Sequence, residues 1–451
     1  MERADLVVSS ARVVTPQGVV PAAVAITAGV ITSITRLGDA PDAVRRVDVG
    51  AAALLPGGVD THVHVNEPGR TDWEGFESAT RAAAAGGITT IVDMPLNSIP
   101  VTTTVDALEQ KAHAAAGRAA VDYAFWGGVI PGNREALAPL ANAGARGFKA
   151  FLVPSGIDEF PAVGEADLRS AMLRIAPLGL PLLVHAELPG PIARAAPSSA
   201  SDPRRYPTYL SSRPAAAELE AVDLVLGLCR ETGCRVHIVH VSAAETLERL
   251  REARRSGLSV SAETCPHYLT FAAEEIMDGG TPWKCAPPIR GRVTRERLWR
   301  GLGDGALDLV ASDHSPAPPA LKCLETGDFF RAWGGVASLE LALAATWTGA
   351  RARGHGLGEM VRWLAEAPAR LAGFGRKGRI APGCDADLVV FDADASFTVE
   401  PTRLRQRHPI TPYAGMTLTG VVRQTFLRGV SVYEEGAFPS EPTGRWVRWV
   451  S

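Results

Sequence analysis

Apolar and polar positions alternate in short pieces along the first fifty residues, in DLVVSSARVVT, VVPAAVAITAGVITSITRL and VRRVDVG. A period of two predicts strands, here a small β layer. An apolar run, Ala51 to Leu55, reads as a buried strand running on towards His62 and His64. From about Leu54 the pattern becomes a continuous apolar run followed by a helical stretch, repeated. Strands are expected at LLPGGVDTHVHV, GITTIVDMP, DYAFWGGVI, GFKAFLV, LPLLVHAE, RVHIVHVS, LSVSAETCP and LDLVASDHS. Helices are expected between them, as in WEGFESATRAAAAGG, VDALEQKAHAAAG and AAAELEAVDLVLGLCRETG, each closed by Gly, a common C-terminal cap. Such alternation predicts an α/β fold, a parallel sheet covered on both faces and closed as a (β/α)8 TIM-like barrel. An open doubly wound sheet is the alternative, but no G-x-G-x-x-G follows an early strand. The segment from His267 to Ala306 is expected to lie partly as loop over the site. From Arg379 the β pattern returns in GRIAPGCDADLVVFDAD, SFTV and GVVRQTFLRGVSVYEEG. The expected organisation is therefore a barrel over residues 54–374, with residues 1–53 and 375–451 meeting in one small β-sandwich built from both chain ends.

A chain of 451 residues has room for that arrangement, since a barrel takes roughly 250. Hydrophobic content of 46% and charge of 21% suit a globular enzyme. A net charge of −3 gives no field that would draw nucleic acid or an acidic membrane. Six cysteines show no C-x-x-C pair and no regular framework, which fits a reducing cytoplasm rather than a disulfide scaffold. The start, MERADLVVSSARVV, carries charge where a signal peptide would be apolar. No apolar run reaches the roughly 18 residues of a membrane span.

In a barrel of this kind the active site forms at the C-terminal ends of the strands. The polar residues expected there are His62 and His64 from the first strand, Lys149 from the fourth and His185 from the fifth. The sixth adds His240 and the eighth Asp313. Residues two apart on a strand share a face, so His62 and His64 aim at one point, and neutral imidazole is a common metal ligand. Lysine inside an apolar strand is rare, because a buried ammonium must be paired; the bland account of Lys149 is a salt bridge, with Asp313 as the obvious partner. His237 and His240 differ by an odd number of positions, so only one is expected to face the interior. His240, nearer the strand end, is chosen, and His237 is expected to pack under a helix. Asp60 shares a face with His62 and lies deeper. His314 is expected to be structural because Asp313 takes the inward direction.

These residues, with HVHVNEPGR, KCAPPIRG and SDHSPAPP, resemble the cyclic amidohydrolases, the group holding dihydroorotases, hydantoinases, dihydropyrimidinases and allantoinases. The resemblance spans nearly the whole chain. It implies two divalent metal ions, zinc as a rule. His62, His64 and Asp313 would hold one and His185 and His240 the other, with Lys149, carbamylated to N6-carboxylysine, bridging both. It implies that metal-activated hydroxide opens a cyclic amide, with Asp313 as general base and acid. It also implies a small-molecule substrate and a homotetramer. Dihydroorotases place Arg at the position of Asn66 to clamp a carboxylate. Hydantoinases and dihydropyrimidinases place Tyr, an oxyanion donor, at the position of Pro154. Both departures turn the expectation towards the allantoinase branch, whose reaction opens a hydantoin ring. Substrate contacts are expected from Asn66, Asn97, Cys285 through its backbone, and Ser315.

Overall fold

The structure, a computed structural model, describes residues 3–439 and 441–449. Eight parallel strands alternate with helices. They are β1 (Gly58–Val63), β2 (Ile88–Asp93), β3 (Asp122–Phe125), β4 (Phe148–Phe151), β5 (Leu182–His185), β6 (Val236–Ile238), β7 (Val260–Thr264) and β8 (Leu309–Val310). β1, β2 and β3 form one sheet and β4 to β8 another. The short strand Gly127–Gly128, which continues β3 after Trp126, pairs with β4. At the other seam Val63 bridges His314 in parallel, and the His64 N–H donates to the His314 carbonyl at 2.8 Å. The Asp60 carboxylate accepts from the Ser312 N–H at 3.1 Å across the same seam. The strands at the eight expected positions are thus those of a TIM barrel.

Period-two alternation decides which residues enter the barrel. On β4, Phe148 and Ala150 face outward into the large core under the helices, while Lys149 and Phe151 face in. Cα register places Lys149, Leu183, His237 and Ser261 in one interior layer across β4, β5, β6 and β7. Apolar side chains fill the rest of the interior, among them Val92, Ala124, Trp126 and Leu183, with Ala369 and Phe374 against the same cluster. Helix Ala215–Thr232 ends where Gly233 takes the left-handed conformation, φ 69, that the G-terminated pattern calls for.

The flanking sheet has eight strands from both ends of the chain. Strand Ala53–Pro56 lies between the N-terminal strand Ala4–Thr15, parallel to it, and the C-terminal strand Leu388–Thr398, antiparallel to it. This corrects the reading of Ala51–Leu55: the apolar run belongs to the flanking sheet and is not the start of the histidine strand. Chain passage between the two sheets requires glycine, since a Cβ on Gly57 would stand 2.1 Å from Thr89 Oγ1. The C-terminal segments are also tied to β3 by charge. Asp122 pairs with Lys377 at 2.6 Å and with Arg428 at 2.5 Å, and accepts from the Arg445 N–H.

Candidate active site

β1 ends at Val63, so His62 is the last inward residue of the strand and His64 stands just beyond it. The His62 and His64 rings have centroids 5.5 Å apart, His62 and His240 5.3 Å, and His185 and His240 4.6 Å. Asp313 Oδ1 lies 3.2 Å from His62 Nε2 and 3.5 Å from His64 Nε2. Four histidines and one aspartate from four strand ends therefore share a focus. One donor atom from each of His62, His240 and Asp313 falls within 4.8 Å of the others, close enough for a single cation. All five line one cavity of about 610 Å³, which also takes in Asn97, Cys285 and Ser315.

Lys149 is fully buried on β4, and its Nζ has no hydrogen-bond partner. The salt bridge with Asp313 that would make it merely structural is not formed. Burial brings its pKa down from 10.5 to about 7, against the pull of Glu263 and Asp313. An amine that is free near neutrality can react with carbon dioxide, whereas an ammonium cannot. Burial also lowers His64, His185 and His240 below the usual imidazole range, which keeps the rings neutral. Burial raises the Asp313 carboxyl, but the adjoining His62 and the ring N–H of His64 outweigh it and hold it far below the usual carboxylate range. Neutral imidazoles, an ionised carboxylate, and the partnerless Lys149 Nζ and His240 Nδ1 are the donor set a pair of divalent cations requires.

Two expectations change. His237 faces the interior as well, because the strand ends at Ile238 and His240 takes a left-handed φ of 38 that breaks the alternation. It does not pack under a helix: its Nε2 lies 2.9 Å from Glu263 Oε2 and its Nδ1 2.8 Å from Ser261 Oγ. Asn66 is not part of the cavity wall. It turns the chain with φ 66, its side chain is buried, and neither amide atom has a partner. Asp60 contacts the His62 N–H at 3.0 Å and the Ser312 N–H, so it fixes the β1–β8 seam; burial raises its carboxyl to about 6. His314 is structural as expected, with Nδ1 accepting from the Ser338 and Leu339 N–H groups and Nε2 3.2 Å from Glu74. The loop after β7 places Lys284, Cys285 and Ala286 on the cavity.

Two buried carboxylates escaped the sequence reading. Glu263 on β7 lies 2.5 Å from His62 Nδ1, and Glu187 lies 2.8 Å from His185 Nε2. Burial raises both, but Arg213 and His185 for Glu187, and His62 and His237 for Glu263, bring each down to about 2. Each takes one ring N–H and leaves the other nitrogen's lone pair for the site. The rule that singled out Lys149, a charge within an apolar strand, picks out Glu263 as well. The i, i+2 rule that paired His62 with His64 pairs His185 with Glu187.

Residues 53–432 match the amidohydrolase family. The chain is 50% identical over 446 residues to the allantoinase of Streptomyces avermitilis, covering 99% of both proteins. It is 42% identical to the allantoinase of Arabidopsis thaliana, covering 97% of this chain and 90% of that one. Among solved structures, the L-hydantoinase (dihydropyrimidinase) of Arthrobacter aurescens superposes with a TM-score of 0.94 at 33% identity, covering 99% of this chain and 100% of that one.

Proposed function

The chain belongs to the amidohydrolase family and is a hydrolase of cyclic amides, and on that premise we propose that it hydrolyses the hydantoin ring of allantoin to give allantoate. The observation that carries the reading is 50% identity to an allantoinase across the whole chain, over a site whose donors share one focus. His62, His64 and Asp313 would hold one divalent cation and His185 and His240 a second, with Lys149 as its carbamate between them; zinc is the metal this reading expects. Bound there, the pair would lower the pKa of a water towards 7 and polarise the ring carbonyl.

The protein's own groups do the rest. Asp313 Oδ1 faces His62 and His64, which leaves Oδ2 to take the proton from the attacking water and deliver it to the leaving ring nitrogen. Glu263 and Glu187 fix the tautomers of His62 and His185. Asn97 Oδ1 is buried without a partner beside His64 and is placed to accept a ring N–H. The Cys285 backbone and Ser315 complete the polar wall. Pro154 lines the cavity at the position where hydantoinases place an oxyanion-donating tyrosine, and the volume exceeds what a bare five-membered ring needs, leaving space for a ureido substituent.

The reading extends to a homotetramer acting in the cytoplasm, in keeping with six cysteines that are all free thiols. Side-by-side assays on allantoin, hydantoin, dihydrouracil and dihydroorotate test the substrate. Turnover of allantoin foremost is expected; no turnover of allantoin together with turnover of another ring would replace it with the hydantoinase reading. Light scattering of the purified protein tests the tetramer.

A further inference from the structure

Beyond β7 the chain places a second set of donors beside the first. Cys265, His267 and Asp313 each offer one ligand atom within 4.8 Å of the others, and all three are buried. Cys265 and His267 have no part in the proposed hydrolysis. His267 is fully buried, yet neither Nδ1 nor Nε2 has a hydrogen-bond partner. A buried imidazole with both nitrogens unsatisfied is costly unless something else occupies one of them. Tyr268 packs against one edge of the ring, with centroids 4.2 Å apart, and offers it no hydrogen bond.

We propose that Cys265, His267 and Asp313 form an inhibitory site for a thiophilic divalent cation, cadmium or excess zinc, adjoining the catalytic pair and sharing Asp313 with it. The donor set is one thiolate, one imidazole and one carboxylate with a fourth position open. That combination selects soft and borderline cations over magnesium or calcium. Burial holds the Cys265 thiol protonated, so cation capture releases its proton to solvent and the sulfur binds as thiolate; no electron changes hands. The consequence rests on the role given to Asp313 above. A carboxylate oxygen committed to this cation is no longer available to carry the proton of the hydrolysis, so an occupied site stops turnover without displacing the catalytic metals.

The test titrates the metal-loaded protein with cadmium chloride, following the thiolate-to-cadmium absorption band, bound-cadmium and catalytic-metal content, and turnover together. One further equivalent is expected to bind, with the band and the loss of activity rising in step and the catalytic metals retained. Cys265→Ser should abolish the band, and Cys265→Ser and His267→Gln should each weaken inhibition at least tenfold while leaving turnover without cadmium intact. Cys285→Ser, which removes the cavity's own cysteine, should keep the band. Inhibition unchanged in both Cys265→Ser and His267→Gln, or a band that follows Cys285, would overturn the site. A band that depends on Cys265 with full activity retained would uphold the site and overturn Asp313 as the proton carrier.

Discussion

The Glu263 carboxylate holds the Nδ1–H of His62 at 2.5 Å with its Oε1, while its Oε2 takes the Nε2–H of His237 at 2.9 Å. One side chain on β7 thereby sets the tautomer of a β1 histidine on the far side of the barrel seam, and does so from full burial. Replacing Glu263 by Gln supplies one acceptor where two are needed. The expected result is a loss of metal affinity of about 10–100-fold with the fold retained, measured by chelator competition and circular dichroism. Affinity equal to that of the unaltered protein would make the contact incidental.

Arg213 and Glu187 form a second such unit at His185. Two Arg213 nitrogens contact Glu187, at 2.6 and 3.1 Å, and the carboxylate is wholly buried. Arg213→Met strands an unpaired buried charge, and a loss of about 3 kcal/mol is expected in urea unfolding. Adding Glu187→Gln should recover part of that loss, because the charge that needed pairing is then gone; no recovery would show that the Arg213 stem matters more than its charge.

Lys149 sets a pH dependence on assembly. Its folded value of about 7 lies below the unfolded 10.5, so between those limits the unfolded chain binds more protons and the metal-free fold gains stability as pH rises. The fraction of free amine declines as pH falls through about 7. Reconstitution of metal-free protein with zinc and bicarbonate should therefore fall away as pH drops through 7. Lys149→Ala should lose both cations and its activity, and short carboxylic acids should restore part of each. Full metal content in that variant would remove the carbamate from the mechanism.

Glu340, which lines a different cavity, behaves in the opposite sense. Burial pushes its carboxyl from 4.5 up to about 7, although the Arg405 N–H donates to it at 2.6 Å. Here the folded state binds the extra proton, so the contribution is fully present below pH 4.5 and is lost as pH rises through 7. Glu340→Gln should flatten that loss and raise stability at pH 8 by on the order of 1–2 kcal/mol. Thermal melts at pH 5 and pH 8 give the comparison, and an equal change at both would assign the effect to packing.

Much of this was legible in the chain as written. Eight apolar runs separated by helices dictate a parallel sheet covered on both faces, because side chains alternate with period two and crossovers need helices. The same period put His62 and His64 on one face, and in the structure Lys149 and His185 share the parity of Phe151 and Leu183, which belong to the interior cluster. What the period cannot foresee is where a strand stops. β6 ends at Ile238, and the left-handed turn at His240 brings a residue of the wrong parity into the site alongside His237. Nor does sequence say which sheet an apolar run joins: Ala53–Pro56 reads as barrel but pairs with one strand more than three hundred residues away as well as with the N-terminal strand. Asn66 follows the same logic, since its backbone turn, not its side-chain chemistry, decides what it can touch. Local pattern thus determined the elements and the inward donors of this protein. Partners such as Glu263 for His62 were decided only by barrel closure, because hydrogen bonds between residues two hundred positions apart depend on strand order and register, which no local window contains.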